Sequence, residues 1–405
     1  GLYFGDSLSC APIGSSGKGH LFIGEPGYYN SITGKRGKIS EYVWENENEE
    51  MIKVSEILPD SSGDSRGFGV SILAVERFKY SSCNQASPSL VVGTPFKGWE
   101  GGFQVYQKSG PSWQKCEDVS AASLGLRGYF GSRIFDLGNI DKDVQGVHEV
   151  AISNQSWGAD GKVLIYGGET GSFLKYFSSE SWEEGLLGYQ VHSAGDFNND
   201  GQSELAVSVP SKNVKGRWGA GEVSILDWKT LPTDLSSTSG MPSPILRIIG
   251  KPEEGSHLGV GYIPVFENPS NMHSKNVKSI VSAPGARIDG NYDVGRIYMF
   301  ESLKLAPSKP YRIVGSYINS RFGVDMKSIG DLDGDSLPDL AIGEPGALCQ
   351  GRFSGRVVFY SVLQEQMLSS ICGDRANQKL GEQLYFLTQP SQNFLVFMPS
   401  FACLL

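Results

Sequence analysis

The chain is poor in the features that mark most specialised classes. Lys and Arg total 35 against 44 Asp and Glu, a net charge of −9. That balance disfavours a general nucleic-acid binder and suits a surface that holds cations. Cysteine is sparse, six in 405 residues, which excludes a disulfide scaffold, and no C-x-x-C pair offers a zinc site. Cys83 and Cys116 share one candidate repeat, and Cys349 and Cys372 share another. Each pair reads as a disulfide or as two buried thiols. No apolar run reaches membrane-spanning length; Phe394 to Leu405 is apolar but short and broken by Pro399. The chain opens without Met or a signal peptide, so a processed chain or a fragment is expected. The histidines, His20, His148, His192, His257 and His273, form neither HExxH nor any zinc spacing. No Gly-x-Ser-x-Gly elbow or phosphate-cradling loop is present. The reading leans away from an enzyme, although a site built from scattered loops would leave no local motif.

What is abundant is glycine, 52 residues, with 20 Phe, 17 Tyr and 7 Trp. Glycine turns between aromatic-rich short segments favour an all-β chain. An aromatic or Leu followed by Gly recurs seven times, at Phe4-Gly5, Phe68-Gly69, Phe130-Gly131, Leu187-Gly188, Leu258-Gly259, Phe322-Gly323 and Leu380-Gly381. The spacings run from 57 to 71 residues. Each pair is followed by an apolar run with a tight exit, such as Leu21-Phe22-Ile23-Gly24-Glu25-Pro26, Leu205 to Pro210, or Leu340-Ala341-Ile342-Gly343-Glu344-Pro345. A third segment opens with Gly in six copies, as at Gly102, Gly161, Gly221, Gly295 and Gly355. A looser segment closes each unit.

Short apolar runs bounded by Gly and Pro read as strands. Four strands per unit is the arithmetic of a propeller blade, whereas a solenoid would need a shorter period. The expectation is one domain over residues 1–405, a seven-bladed β-propeller whose last blade is incomplete. Its blades would start near residues 4, 68, 130, 187, 258, 322 and 380.

Some turns between the first two strands are acidic. Asp331, Asp333, Asp335 and Asp339 stand at relative positions one, three, five and nine, and so do Asp196, Asn198, Asp200 and Glu204. Odd spacing in a tight turn aims alternate side chains at one point, and hard oxygens in this number suit Ca²⁺. Position seven would add a backbone carbonyl from Leu337 or Gln202. An EF-hand is excluded: its twelfth position would be Ile342 or Val207, inside a strand. Asn139, Asp141, Asp143 and Glu149 form a third, stretched version. Two to three calcium sites are expected, and the other blades lack the carboxylate set. Asp196 with Glu204 could imitate a glycosidase pair, but the matching acids in blade six argue for ligands.

The Phe-Gly openings, Asp-rich turns and Gly-Ala-Pro-like exits resemble the FG-GAP repeat family. That family includes the propeller of integrin α subunits, that of glycosylphosphatidylinositol-specific phospholipase D, and bacterial secreted proteins. The resemblance covers nearly the whole chain and is strongest in blades four and six. It implies a calcium-loaded, extracellular or cell-surface propeller with an adhesion-like role. The alternatives it leaves are the accessory propeller of a secreted hydrolase and a propeller polysaccharide lyase.

Strands in a blade alternate in direction, so the acidic turns lie at one end and the loops after the Gly-Pro exits at the other. Those opposite loops carry Tyr28, Tyr29, Phe96, Trp99, Trp157, Trp218, Tyr292 and Phe353. They are read either as a surface for a protein or glycan partner or as inter-blade packing. Asn154-Gln155-Ser156 is an N-glycosylation sequon whose glycan would crowd those loops.

Overall fold

A computed structural model describes residues 7–12, 19–32, 34, 36–45, 50–59, 66–75, 78, 80, 83, 88–142, 147–154, 161–179, 186–235, 242–249, 255–267, 271, 273–274, 277–301, 311–388 and 393–398. Among them there is no α-helix, only two short 3-10 turns at Ala121–Leu124 and Trp228–Thr230. No helix among the described residues is long and apolar enough to cross a membrane.

The architecture is an all-β propeller with six four-stranded antiparallel blades. The chain divides into two compact units. The first, Gly1–Trp182 with Leu231–Met241 and Leu387–Phe394, holds three blades. Blade one comprises Ser7–Pro12, Gly19–Gly24, Ile39–Glu45 and Glu50–Ile57. Blade two comprises Ile72–Val75, Ser89–Gly93, Gly102–Ser109 and Ser112–Ser120, and blade three Phe130–Asp136, Val150–Asn154, Lys162–Tyr166 and Phe173–Ser178. The second unit, Glu183–Thr230 with Pro242–Phe386 and Leu395–Leu405, holds the other three. Blade four is Val191–Gly195, Glu204–Val209, Glu222–Leu226 and Leu246–Ile248. Blade five is Tyr262–Phe266, Val277–Ala283, Arg296–Glu301 and Tyr311–Val314. Blade six is Met326–Ser328, Leu340–Glu344, Arg356–Ser361 and Gln366–Cys372, with a small hairpin, Leu348–Cys349 and Arg352–Phe353, between its second and third strands.

Seven openings overcount the blades by one. The seventh, Leu380-Gly381, leads into Gln383–Thr388 and Asn393–Met398, which form a two-stranded sheet. Among the described residues no further strand joins that pair.

The second strand is deeply buried in every blade. Ser89–Gly93, Val150–Asn154, Glu204–Val209 and Leu340–Glu344 are buried at every position. Both faces are covered, so these strands read as continuous apolar runs without alternation. Full burial of each Val, Leu or Ile contributes about 1.5–3 kcal/mol. Outer strands read differently: Gln366–Cys372 is mostly exposed.

The recurring opening and the recurring glycine meet each other. Within the first unit Gly101 forms a parallel bridge to Phe130, and within the second Gly221 bridges to Leu258 and Gly355 to Leu380. The amide of the opening residue donates to the carbonyl before that glycine: Phe130 to Glu100 at 3.0 Å, Leu258 to Ala220 at 3.1 Å, Leu380 to Ser354 at 3.0 Å. Gly221 has φ +78°, and a Cβ there would stand 2.2 Å from the Leu258 carbonyl oxygen. Glycine is required by both backbone conformation and space.

Cys83–Cys116 joins the connection after blade two's first strand to its fourth strand, with Cα atoms 5.5 Å apart. Cys349–Cys372 fastens the small hairpin of blade six to its fourth strand, at 5.9 Å. In the first unit Glu41 is fully buried. Its oxygens accept from Lys108 Nζ (2.6 Å), Ser55 Oγ (2.5 Å) and Trp113 Nε1 (2.9 Å), and meet His20 Nδ1 at 2.7 Å.

Candidate functional site

The acidic turns of blades four and six share one backbone design. Positions four and six are left-handed in both: Asn199 (φ 64°) and Gly201 (φ 89°), Gly334 (φ 81°) and Ser336 (φ 76°). Two left-handed steps coil the turn tightly around its own first carboxylate. Asp331 Oδ1 accepts from the amides of Gly334 (2.7 Å) and Asp335 (3.1 Å), and Oδ2 from Ser336 (2.8 Å). Asp196 does the same for Asp200 and Gly201, both at 3.0 Å. These amides, led by that of Ser336, hold the Asp331 carboxyl below its usual range.

Position nine opens the second strand. Asp339 Oδ2 accepts from the Leu332 amide at 2.7 Å, and Glu204 Oε2 from Phe197 at 2.5 Å and Asn198 at 3.3 Å. Both acids are fully buried, and the other oxygen of each, Asp339 Oδ1 and Glu204 Oε1, has no hydrogen-bond partner. Asp333 Oδ2 and Gln202 Oε1 are also buried without one. Burial, then repulsion from Asp200 and Asp196, pushes Glu204 up to about 7 against two amides that favour its anion. Burial and then Asp333, Asp335 and Asp331 raise Asp339 likewise. Buried oxygens left without donors, beside like charges, are what a bound hard cation would satisfy. The residues therefore fit calcium.

Asp331, Asp333 and Asp339 bring carboxylate oxygens within 4.8 Å of one another. Asp335 stands at the edge of this group, with Oδ1 taking the Leu337 amide (2.9 Å) and Oδ2 the Ser361 hydroxyl (3.2 Å). In blade four the converging group is Asp200, Glu204 and Asp227. Asp227 was not visible as a turn residue. It follows the third strand, whose register pairs Leu205 with Leu226 and so sets Asp227 beside Glu204. The hairpin register is the signal that could have found it. Asn198 Oδ1 accepts from the Asp200 amide at 2.9 Å, and Gln202 donates its amide to Asp200 Oδ1 at 2.9 Å.

Blade three differs. Glu149 Oε2 accepts from Ile140 at 2.9 Å, as its counterparts do, but Oε1 accepts from the Gly168 amide at 3.4 Å. Asn139 stands where the others have Asp, and Asp141 follows it. Asp143 lies outside the described residues. His148 Nδ1 meets Asp136, 2.9 Å away.

At the other end of the strands, most of the aromatics singled out are solvent-facing. In the first unit Trp99 is 85% exposed, with the Arg66 guanidinium 5.8 Å from its ring. Tyr29 is exposed beside Arg36 (5.5 Å) and Phe96 meets Tyr129 edge-on (5.7 Å). Tyr28 is half-buried under Lys38, 4.6 Å from its ring. In the second unit Trp218, Tyr292 and Phe353 are exposed. Arg287 lies 3.8 Å over Tyr292, and Phe353 stacks edge-on against Tyr317 at 5.9 Å. Tyr129 and Tyr317, on the links between blades, were missed because they precede an opening rather than follow an exit. Trp157 lies outside the described residues. Asn154 is fully buried and donates its side-chain amide to the Arg127 carbonyl. A glycan at the sequon is not accommodated by that placement.

Three comparisons bear on this geometry. The FG-GAP repeat matches residues 187–226 and 328–360, the first three strands of blade four and the second and third of blade six. Mouse integrin alpha-8 is 29% identical over 186 residues, 45% of this chain and 15% of that protein. Integrin alpha-5 of Xenopus laevis is 27% identical over 174 residues, 42% of this chain and 14% of that one. Integrin alpha-PS5 of Drosophila melanogaster is 28% identical over 203 residues, 48% and 18% respectively. The chain thus matches less than a fifth of each relative's length. Among solved structures, Sqt1 of Saccharomyces cerevisiae superposes with a TM-score of 0.52 at 9% identity, covering 98% of this chain and 93% of that one, a likeness of fold alone. With its repeats matched where the acidic turns lie, the chain is an all-β propeller that carries FG-GAP repeats in blades four and six.

Proposed function

We propose that this chain is the ligand-binding propeller of an integrin α-like adhesion protein, extracellular or cell-surface. Calcium sits in the blade four and blade six turns, and a protein partner engages the loops between second and third strands. The carrying observation is that exposed aromatics recur in those loops within each unit, several paired with arginine: Trp99 with Arg66 and Tyr29 with Arg36 in the first, Tyr292 with Arg287 in the second. Trp, Tyr and Arg are the residues that dominate protein interfaces. The acidic turns lie at the opposite end of the strands, so calcium supports the loops and does not contact the partner. Two disulfides and a likeness to integrin α chains agree with an oxidising compartment.

The test is binding of the calcium-loaded chain to immobilised extracellular-matrix glycoproteins. Trp99→Ala and Trp218→Ala should each weaken binding by about 2 kcal/mol or more, with melting temperatures unchanged. Full binding by the double variant would reject this surface.

A further inference from the structure

Blades four and six carry the same turn but balance its charge differently. Asp335 Oδ2 in blade six accepts from a neutral hydroxyl, Ser361 Oγ, at 3.2 Å. Its counterpart in blade four, Asp200 Oδ2, is held by the Lys229 ammonium at 2.8 Å. The register makes this a position-by-position difference. Leu340 pairs with Tyr360, and Leu205 with Leu226. Ser361-Val362-Leu363 therefore corresponds to Asp227-Trp228-Lys229. Where blade four has a lysine, blade six has an exposed leucine. No ion pair reaches Asp331, Asp333 or Asp339 among the described residues.

The lysine is held in place to reach the turn. Trp228 is buried and anchors a single 3-10 turn, Trp228–Thr230. Asp227 Oδ1 accepts from the Lys229 amide at 2.8 Å, and Thr230 Oγ1 donates to the Asp227 carbonyl at 2.9 Å. The same segment thus delivers one extra carboxylate and one extra cation to the group Asp200, Glu204 and Asp227. That group also holds the buried, unpartnered Glu204 Oε1, which points to a ligand beyond the acids themselves.

We infer that Lys229 is a tethered cation that competes with calcium for the blade four turn. This rests on the calcium reading above and goes beyond it: the two turns are unequal. Calcium entering blade four must displace the ammonium from Asp200, whereas calcium entering blade six displaces only a hydroxyl. When calcium is scarce, Lys229 keeps the blade four turn charge-balanced. The blade six turn has no such substitute.

The experiment titrates calcium calorimetrically into the intact chain. Wild type, Lys229→Met and Lys229→Arg are compared, each also with Asp331→Asn and Asp333→Asn to silence blade six. Wild type should show two affinities, with the weaker surviving the silencing. Lys229→Met should tighten that weaker site about tenfold, the scale expected on removing one adjacent like charge near a surface. Lys229→Arg should leave it weak. An unchanged weak site in Lys229→Met overturns the role of Lys229 while leaving calcium in place; absence of any calcium binding in wild type overturns both readings. Amide exchange on the unaltered protein gives a second measure. On chelation, Gly334 and Ser336 should lose protection while Gly201 and Gln202 keep theirs; equal loss at both turns contradicts the inference.

Discussion

Glu41 illustrates what a single buried carboxylate demands of its surroundings. Burial alone would raise its pKa, yet His20, Lys108, Ser55 and Trp113 together hold it down at about 2, from an ordinary 4.5. A carboxyl depressed in the folded state contributes stability above its unfolded pKa, and that stability is lost as pH falls toward the folded value. The window is therefore about pH 4.5 down to 2. Glu41→Gln should cost roughly 3 kcal/mol at neutral pH, since Lys108 loses a buried partner. Its denaturant-derived stability should also fall less steeply than wild type's across that window. Parallel curves for the two proteins would show that Glu41 does not carry the acid sensitivity. None of this network was legible beforehand. Ile39-Ser40-Glu41 alternates in a way that sets Glu41 on the face of Ile39, but its partners come from four other strands, two of them in another blade. The position-nine acids were legible, because their partners lie within eight residues of chain.

At the scale of elements, the blade is defined by a contact between its third strand and the opening of the next. The sequence showed both halves as recurring features, a Gly leading the third strand and an aromatic or Leu before another Gly. It could not show that they touch, because the bridges, such as Gly355 to Leu380 and Gly221 to Leu258, join residues far apart in sequence and are made by backbone atoms that any residue type supplies. The requirement for glycine is the only trace it leaves. Gly221→Ala would force both an unfavourable φ and a Cβ 2.2 Å from Leu258 O. A loss of about 3 kcal/mol is expected, from roughly 1–2 for the left-handed backbone and the rest from overpacking. Gly216→Ala is the matched comparison: φ is +75°, but nothing lies within 4 Å of the added carbon. It should cost only the backbone share, about 1 kcal/mol. Equal losses in chemical denaturation for the two variants would mean that strand-to-opening packing contributes nothing. The blade count failed at this same level. The opening at Leu380 makes its bridge to Gly355, so it serves blade six whether or not four strands follow it.

For the molecule as a whole, the converging acidic groups are distributed unequally between the two compact units. Both converging acidic groups among the described residues belong to the second unit, in the turns of blades four and six. In the first unit's turn Glu149, the counterpart of Glu204 and Asp339, has amide donors on both oxygens. The spacing of acids in the sequence made three turns look alike. It carried no sign that Gly168 would donate to Glu149, or that Asp227 and Lys229 would reach the blade four turn from the end of the neighbouring third strand. Calcium should therefore stabilise the second unit and leave the first nearly unaffected. A site held at a hundredfold excess over its dissociation constant adds about 2.7 kcal/mol to the state that binds it. Limited proteolysis with and without chelator, mapped by mass spectrometry, reads this directly. Chelation should speed cleavage within Pro242–Phe386, around the blade six turn, while cleavage within blades one to three proceeds at its former rate. Uniform acceleration along the chain, or faster cleavage confined to the first three blades, would show that calcium does not act through these two turns.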